Sequence, residues 1–115
     1  MDHLLEARQA RLGNNQAPFR AANEEMETLS RDGLTGSPVG FVCECANPEC
    51  GSQPPVALDE YEVIRQNSTR FFVLPDHVFG DVETVVDDRG RYVIVERFGA
   101  GAQVAAATDG RGSAP

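Results

Sequence analysis

Three cysteines lie within one run of eight residues, Cys43-Glu44-Cys45-Ala46-Asn47-Pro48-Glu49-Cys50, and the chain has no others. In extended backbone, alternate residues project to the same face, so Cys43 and Cys45 can offer two thiolates to one ion. Asn47-Pro48 favours a turn, which would fold Cys50 back toward that pair. A tetrahedral site then needs a fourth ligand, and the chain has two histidines, His3 and His77. His3 stands near the start of the chain, beyond a glycine-containing linker. His77 follows Leu74-Pro75-Asp76 just past a strand of the same small domain, where a rigid turn would fix it. The expected metal ligands are therefore Cys43, Cys45, Cys50 and His77, with Asp76 or a backbone carbonyl accepting the other ring N–H.

Such a soft donor set suits zinc, the expected cofactor. Four protein ligands leave no position for water, so the expected role is structural, not catalytic. Structural zinc supplies roughly 10–16 kcal/mol of apparent binding energy, enough to decide whether a small domain folds. Competing readings are small buried hydrophobes, free thiols or an iron–sulfur cluster, and the close spacing with one histidine fits these less well. A Cys43–His77 nucleophile pair would leave two further thiols at coordinating distance unexplained, so no catalytic residue is expected. A thiol-based redox or metal sensor, releasing zinc on oxidation, is the alternative function. Gly99-Ala100-Gly101 lacks the lysine of a phosphate loop and reads as a strand end.

The elements that must position this cluster suggest an α+β fold: a small zinc-stabilised antiparallel sheet with one short helix, preceded by a long helix. In residues 1–32, Leu5, Leu12, Phe19 and Met26 recur every seven positions, while Arg8 and Asn15 interrupt the companion line. Pro18 lacks a backbone donor and predicts a kink or two helices meeting there. Residues 33–38 read as a linker and residues 39–98 as the zinc-binding domain. Within it, residues 39–45 and 55–58 form a candidate hairpin around the cysteine loop. Asp59 with Glu62 suggests a capping box opening a helix over residues 60–66. Residues 71–74 suggest a third strand, and residues 82–86 and 92–98 flank a turn at Asp87-Asp88-Arg89-Gly90-Arg91 as a hairpin. Residues 99–115, rich in glycine and alanine, read as a mostly disordered tail, with 102–107 adding at most a turn or short edge strand.

Several of these segments resemble a group of small, uncharacterised bacterial proteins. The shared features are the CECxxPxC-type cluster ending at Cys50, an EYExxR helix at Glu60-Tyr61-Glu62-Val63-Ile64-Arg65, and Pro75-Asp76-His77 downstream. The resemblance continues through residues 92–101 and into the N-terminal helix, and it departs at Pro18. It implies that the three cysteines and His77 belong together, and it brings no activity with it.

Composition narrows the function classes. The 115 residues are 41% apolar with no tryptophan, a thin core that a metal cross-link would support. Eighteen acidic residues against ten arginines and no lysine give a net charge of −8. That charge disfavours nucleic acid and anionic membranes as partners. The N-terminus has neither the basic start nor the apolar run of a secretory signal, and no stretch could span a bilayer, so the expected location is cytoplasmic. There three reduced, clustered thiols point to metal or redox chemistry rather than disulfides. The acidic Asp81, Glu83, Asp87 and Asp88 read as a solvated hairpin face, and Arg89 and Arg91 as solvent-exposed flanks of its turn. The expected partner is another protein, met through the N-terminal helix or the hairpin, with self-association a further route.

Overall fold

A computed structural model of the chain describes residues 3–30 and 38–109. The fold is α+β: a long N-terminal helix, a three-stranded antiparallel sheet, a two-residue β-pair, a short helix, and a second short helix at the C-terminal end. Most of the expected linker, and the last residues of the expected tail, lie outside the described residues.

Helix α1 spans His3–Ser30 without interruption and contains Pro18, so the expectation of two helices is corrected. Pro18 lies on the exposed side, where water can satisfy the Asn14 carbonyl that its missing N–H leaves unpaired. The buried face of α1 is also not the expected apolar stripe. It consists of Gln9, Leu12, Gly13, Gln16, Arg20, Asn23 and Glu27. Of the seven-residue line only Leu12 is buried, Phe19 and Met26 are half-buried, and Leu5 is exposed.

Strand β1 (Pro38–Val39) pairs antiparallel with β2 (Val56–Ala57), so the expected first hairpin exists but is far shorter than residues 39–45 suggested. Helix α2 (Leu58–Ile64) opens earlier than expected. Its N-cap is Ala57, whose N–H donates to Glu60 Oε1 at 2.9 Å, while the Asp59 side chain only accepts from the neighbouring Glu60 N–H.

Strands β3 (Arg70–Val73), β4 (Glu83–Asp88) and β5 (Val93–Arg97) form the sheet in the order β3-β5-β4. The expected β4–β5 hairpin is present, with a register shift between Val85 and Asp87 and a turn containing Gly90 at φ +79°. Strands β3 and β5 are covered on both faces, which explains their continuous apolar runs. Phe72 and Ile94 face Phe41, Val56, Leu58, Tyr61 and Ile64, while Phe71, Val73, Val93 and Val95 face Cys43, Cys45 and Ala105. The first side carries an aromatic chain, with Phe41 stacked on Tyr61 at 4.3 Å and Tyr61 edge-on to Phe72 at 6.0 Å.

The second side requires helix α3 (Gly99–Ala107), which occupies residues expected to be a strand end and a disordered tail. Small residues let α3 approach α1 closely, as an added Cβ at Gly13 would stand 3.1 Å from Val104 Cβ. Gly99 turns the chain into α3 at φ +63°. Arg20 of α1 binds the two ends of this layer, donating to the Ser68 carbonyl at 2.6 Å and to the Ala105 carbonyl, with its guanidinium over Phe71. The N-terminal helix is therefore part of the core packing, not an appendage to a separate domain.

Candidate metal centre

The cysteine segment is extended but mostly outside regular strands, so side chains of α1 do much of the work of a neighbouring strand. Asn23 accepts from the Val42 N–H at 2.8 Å and donates to the Val42 carbonyl at 2.8 Å. Gln16 donates to the Glu44 carbonyl at 2.7 Å and Asn15 to the Ala46 carbonyl at 3.2 Å. The Cys43 N–H donates to the Ser52 carbonyl at 2.7 Å, and the Glu44 N–H donates to the Phe72 carbonyl at 3.0 Å. Residues 42–46 are thus gripped by α1, β3 and the returning loop. These contacts satisfy backbone groups whose burial would otherwise be costly.

Glu44 is fully buried between the two cysteines. Its carboxylate accepts from Tyr61 Oη at 2.6 Å, Asn23 Nδ2 at 2.9 Å and the Phe72 N–H at 3.3 Å. Burial raises its pKa above the ordinary carboxylate range, against the stabilising effect of these donors.

Beyond Ala46 the chain turns. Asn47 accepts the Cys50 N–H through its carbonyl at 3.0 Å and the Glu49 N–H through its side chain at 3.0 Å, an arrangement that returns Cys50 toward the pair. On the other side, the Leu74 N–H donates to Cys43 Sγ at 3.3 Å, and the His77 N–H closes a turn onto the Leu74 carbonyl at 2.9 Å. The structure brings all four expected ligands together: the donor atoms of Cys43, Cys45, Cys50 and His77 lie within 4.8 Å of one another. His3 is elsewhere, lining an open cleft with Gln9, Gly99 and Gln103.

His77 Nδ1 stands 3.7 Å from Cys43 Sγ and 3.5 Å from Cys50 Sγ. A tetrahedral ion with zinc–sulfur and zinc–nitrogen bonds of about 2.3 and 2.0 Å separates such atoms by roughly 3.5 Å. The two sulfur–nitrogen edges therefore fit a metal ion, while the widest pair would close by about an ångström. The cluster can hold a metal ion by donor type and spacing. The opposite ring atom, Nε2, is 3.7 Å from Asp76 Oδ1, just beyond hydrogen-bonding reach. The neighbouring Cys43 side chain lowers the pKa of the Cys45 thiol. The same proximity, together with burial, pushes Cys43 upward.

The acidic residues of the hairpin do not form a second site. Among the described residues, the Cys43/Cys45/Cys50/His77 group is the only such cluster. Asp81 pairs with Arg8 at 2.6 Å and Asp87 with Arg89 at 2.8 Å. Glu83 departs from the expected solvated face, since it and Arg97 form an ion pair with both side chains fully buried. Arg91 is also engaged, pairing with Glu60 at 2.8 Å and lying over Tyr92. Sequence reasoning missed Asn15, Gln16, Asn23, Glu44 and Tyr61 as supports of the cluster. Their signal was the polar break at Asn15 in the α1 stripe and an acidic residue flanked by two cysteines in a buried run.

Comparison of the chain with protein-family models, curated proteins and solved structures finds no match. No helix among the described residues is long and apolar enough to cross a membrane.

Proposed function

We propose that this chain is a non-catalytic zinc-binding module of a protein-interaction or regulatory kind, with Cys43, Cys45, Cys50 and His77 as the zinc ligands. The observation that carries this reading is the approach of His77 Nδ1 to two cysteine sulfurs at tetrahedral-edge distances. Three thiolates and one imidazole favour zinc over harder cations. The ion would tie the turn after β3 to the cysteine loop. With all four positions filled by protein, it would have no place for a substrate or an activated water. Membership in the small bacterial family with the CECxxPxC cluster, and a cytoplasmic location, belong to the same reading.

The inward face of α1 is occupied by its own chain, which limits where a partner protein could bind. Among the described residues, the exposed large apolar groups are Leu4, Leu5 and Leu29 on α1, Val63 on α2, and Val85, Val86 and Phe98 around β4 and the end of β5. The net charge of −8 speaks against nucleic acid.

Native mass spectrometry of full-length protein purified without a histidine tag tests the metal assignment. One zinc per chain is expected, lost or much weakened in Cys45→Ser and in His77→Ala. X-ray absorption should give three sulfur and one nitrogen neighbours. A folded chain that leaves zinc unbound under reducing conditions would refute the assignment.

A further inference from the structure

The four ligands differ in how they are held. Cys43 and Cys45 are completely buried, whereas Cys50 is half-buried. Cys43 is fixed twice, by its own N–H on the Ser52 carbonyl and by the Leu74 N–H on its sulfur. Cys50 instead closes the exposed Asn47-Pro48-Glu49 turn, which buried Ala46 joins to Cys45. A cleft of about 190 Å³ opens beside them, lined by Cys45, Asn47, Asp76, His77, Val78 and Phe79. Solvent-borne reagents thus meet the cluster at the half-buried Cys50 and, through the cleft, at Cys45 and His77, while Cys43 lies behind.

We infer that Cys50 is the site at which hydrogen peroxide oxidises this protein, with Cys45 as the resolving thiol, and that the resulting disulfide expels the zinc ion without unfolding the chain. This rests on the zinc assignment above. In the first step the Cys50 thiolate attacks the peroxide, whose O–O bond breaks, giving the sulfenic acid and hydroxide. In the second step the Cys45 thiolate attacks the Cys50 sulfur, the S–S bond forms and a second hydroxide leaves. Two electrons pass from the two sulfurs to the peroxide, and two protons from solvent convert the hydroxides to water. Cys43 and His77 alone remain to the ion. Two ligands and one thiolate charge do not retain zinc against solvent, so it dissociates.

The fold survives because its grip on residues 42–46 does not pass through the ion. Asn15, Gln16 and Asn23 hold the backbone from α1, the Phe72 carbonyl holds it from β3, and Glu44 is anchored to Tyr61. Rearrangement is confined to the exposed residues 47–49 and Cys50, which follow the gripped segment. A thiol reductant then restores the site.

The test uses the full chain, with its zinc content counted before any oxidant is added. Hydrogen peroxide at stoichiometric level should release one zinc per chain to a chromogenic chelator. Peptide mapping should find Cys45 joined to Cys50, the far-UV circular dichroism should be unchanged, and dithiothreitol with added zinc should restore the starting state. Zinc retained in about tenfold excess peroxide, a disulfide that includes Cys43, or collapse of the dichroism would each overturn the proposal. Cys43→Ser supplies a readout independent of the metal, since it should still form the Cys45–Cys50 bond, and failure to do so also overturns it. A wild-type chain that binds no zinc before oxidation would sink the zinc assignment and the expulsion step together. The disulfide arm would then decide whether Cys50 and Cys45 are the oxidised pair.

Discussion

The side-chain amide of Asn23 pairs with the backbone of Val42 as a neighbouring strand would, accepting from its N–H and donating to its carbonyl, both at 2.8 Å. One residue of a helix thereby completes the edge of the segment that carries Cys43 and Cys45. It also reaches the buried Glu44 carboxylate at 2.9 Å.

Asn23→Ala should therefore damage the metal centre from a distance. It leaves a part-buried N–H, a part-buried carbonyl and one buried carboxylate lone pair without this partner, at up to about 1–3 kcal/mol for each unsatisfied group. A total loss of about 3 kcal/mol is expected in urea unfolding, with zinc affinity reduced in competition against a chelator. Asn23→Asp should restore the bond to the Val42 N–H but place a second carboxylate against Glu44, and should be no better.

The Glu83–Arg97 pair makes a prediction about pH. Burial raises the Glu83 pKa and lowers that of Arg97, so desolvation outweighs their mutual attraction. Because the folded Glu83 pKa lies above its unfolded value of about 4.3, the native state binds more protons between the two values. The contribution of Glu83 to stability is fully present below about pH 4.3 and declines as pH rises through the folded pKa. Chemical denaturation of wild type and Glu83→Gln across this range should show that declining component only in wild type.

Removing the pair should depend on whether one or both members go. Glu83→Leu alone leaves the Arg97 guanidinium buried without its counter-ion, at a cost of about 3–5 kcal/mol. Glu83→Leu with Arg97→Met should recover most of that loss in the same urea experiment.

Pro18 sits in the interior of α1 on its exposed side. Pro18→Ala restores one helical hydrogen bond and removes the ring's clash, for up to about 3 kcal/mol. Thermal unfolding should show a rise in midpoint with unchanged zinc stoichiometry.

Helix α1 comes close to helix α3 at Gly13, which faces Val104. Gly13→Val should force them apart, since a Cβ at Gly13 already stands 3.1 Å from Val104. A loss of about 1–3 kcal/mol is expected for this overpacking. Faster amide hydrogen exchange in residues 99–107 would locate the damage.

The cysteine spacing and the Leu74-Pro75-Asp76-His77 turn were legible because both rest on local geometry. Strands β3, β4 and β5 were legible for the same reason, as β-branched and aromatic runs bounded by turn residues. The α1 face was not, because hydropathy periods find apolar stripes, whereas Gln9, Gln16, Arg20 and Asn23 are buried by bonding to distant backbone. Their partners lie up to 91 residues away in sequence, as with the Ala100 N–H on Gln9 Oε1. Helix α3 was hidden by its composition. Glycine and alanine resemble a tail until a second helix with Gly13 is available to receive them.

The polar inner face of α1 has a consequence for how the chain emerges during synthesis. The helix leaves the ribosome before the elements it binds, so Arg20 must wait for the Ala105 carbonyl, and Gln9 for Ala100. With little apolar surface of its own to bury, α1 gains its tertiary support only when nearly the whole chain is available. A nascent chain stalled before residue 99 should therefore remain unfinished, however complete its cysteine cluster.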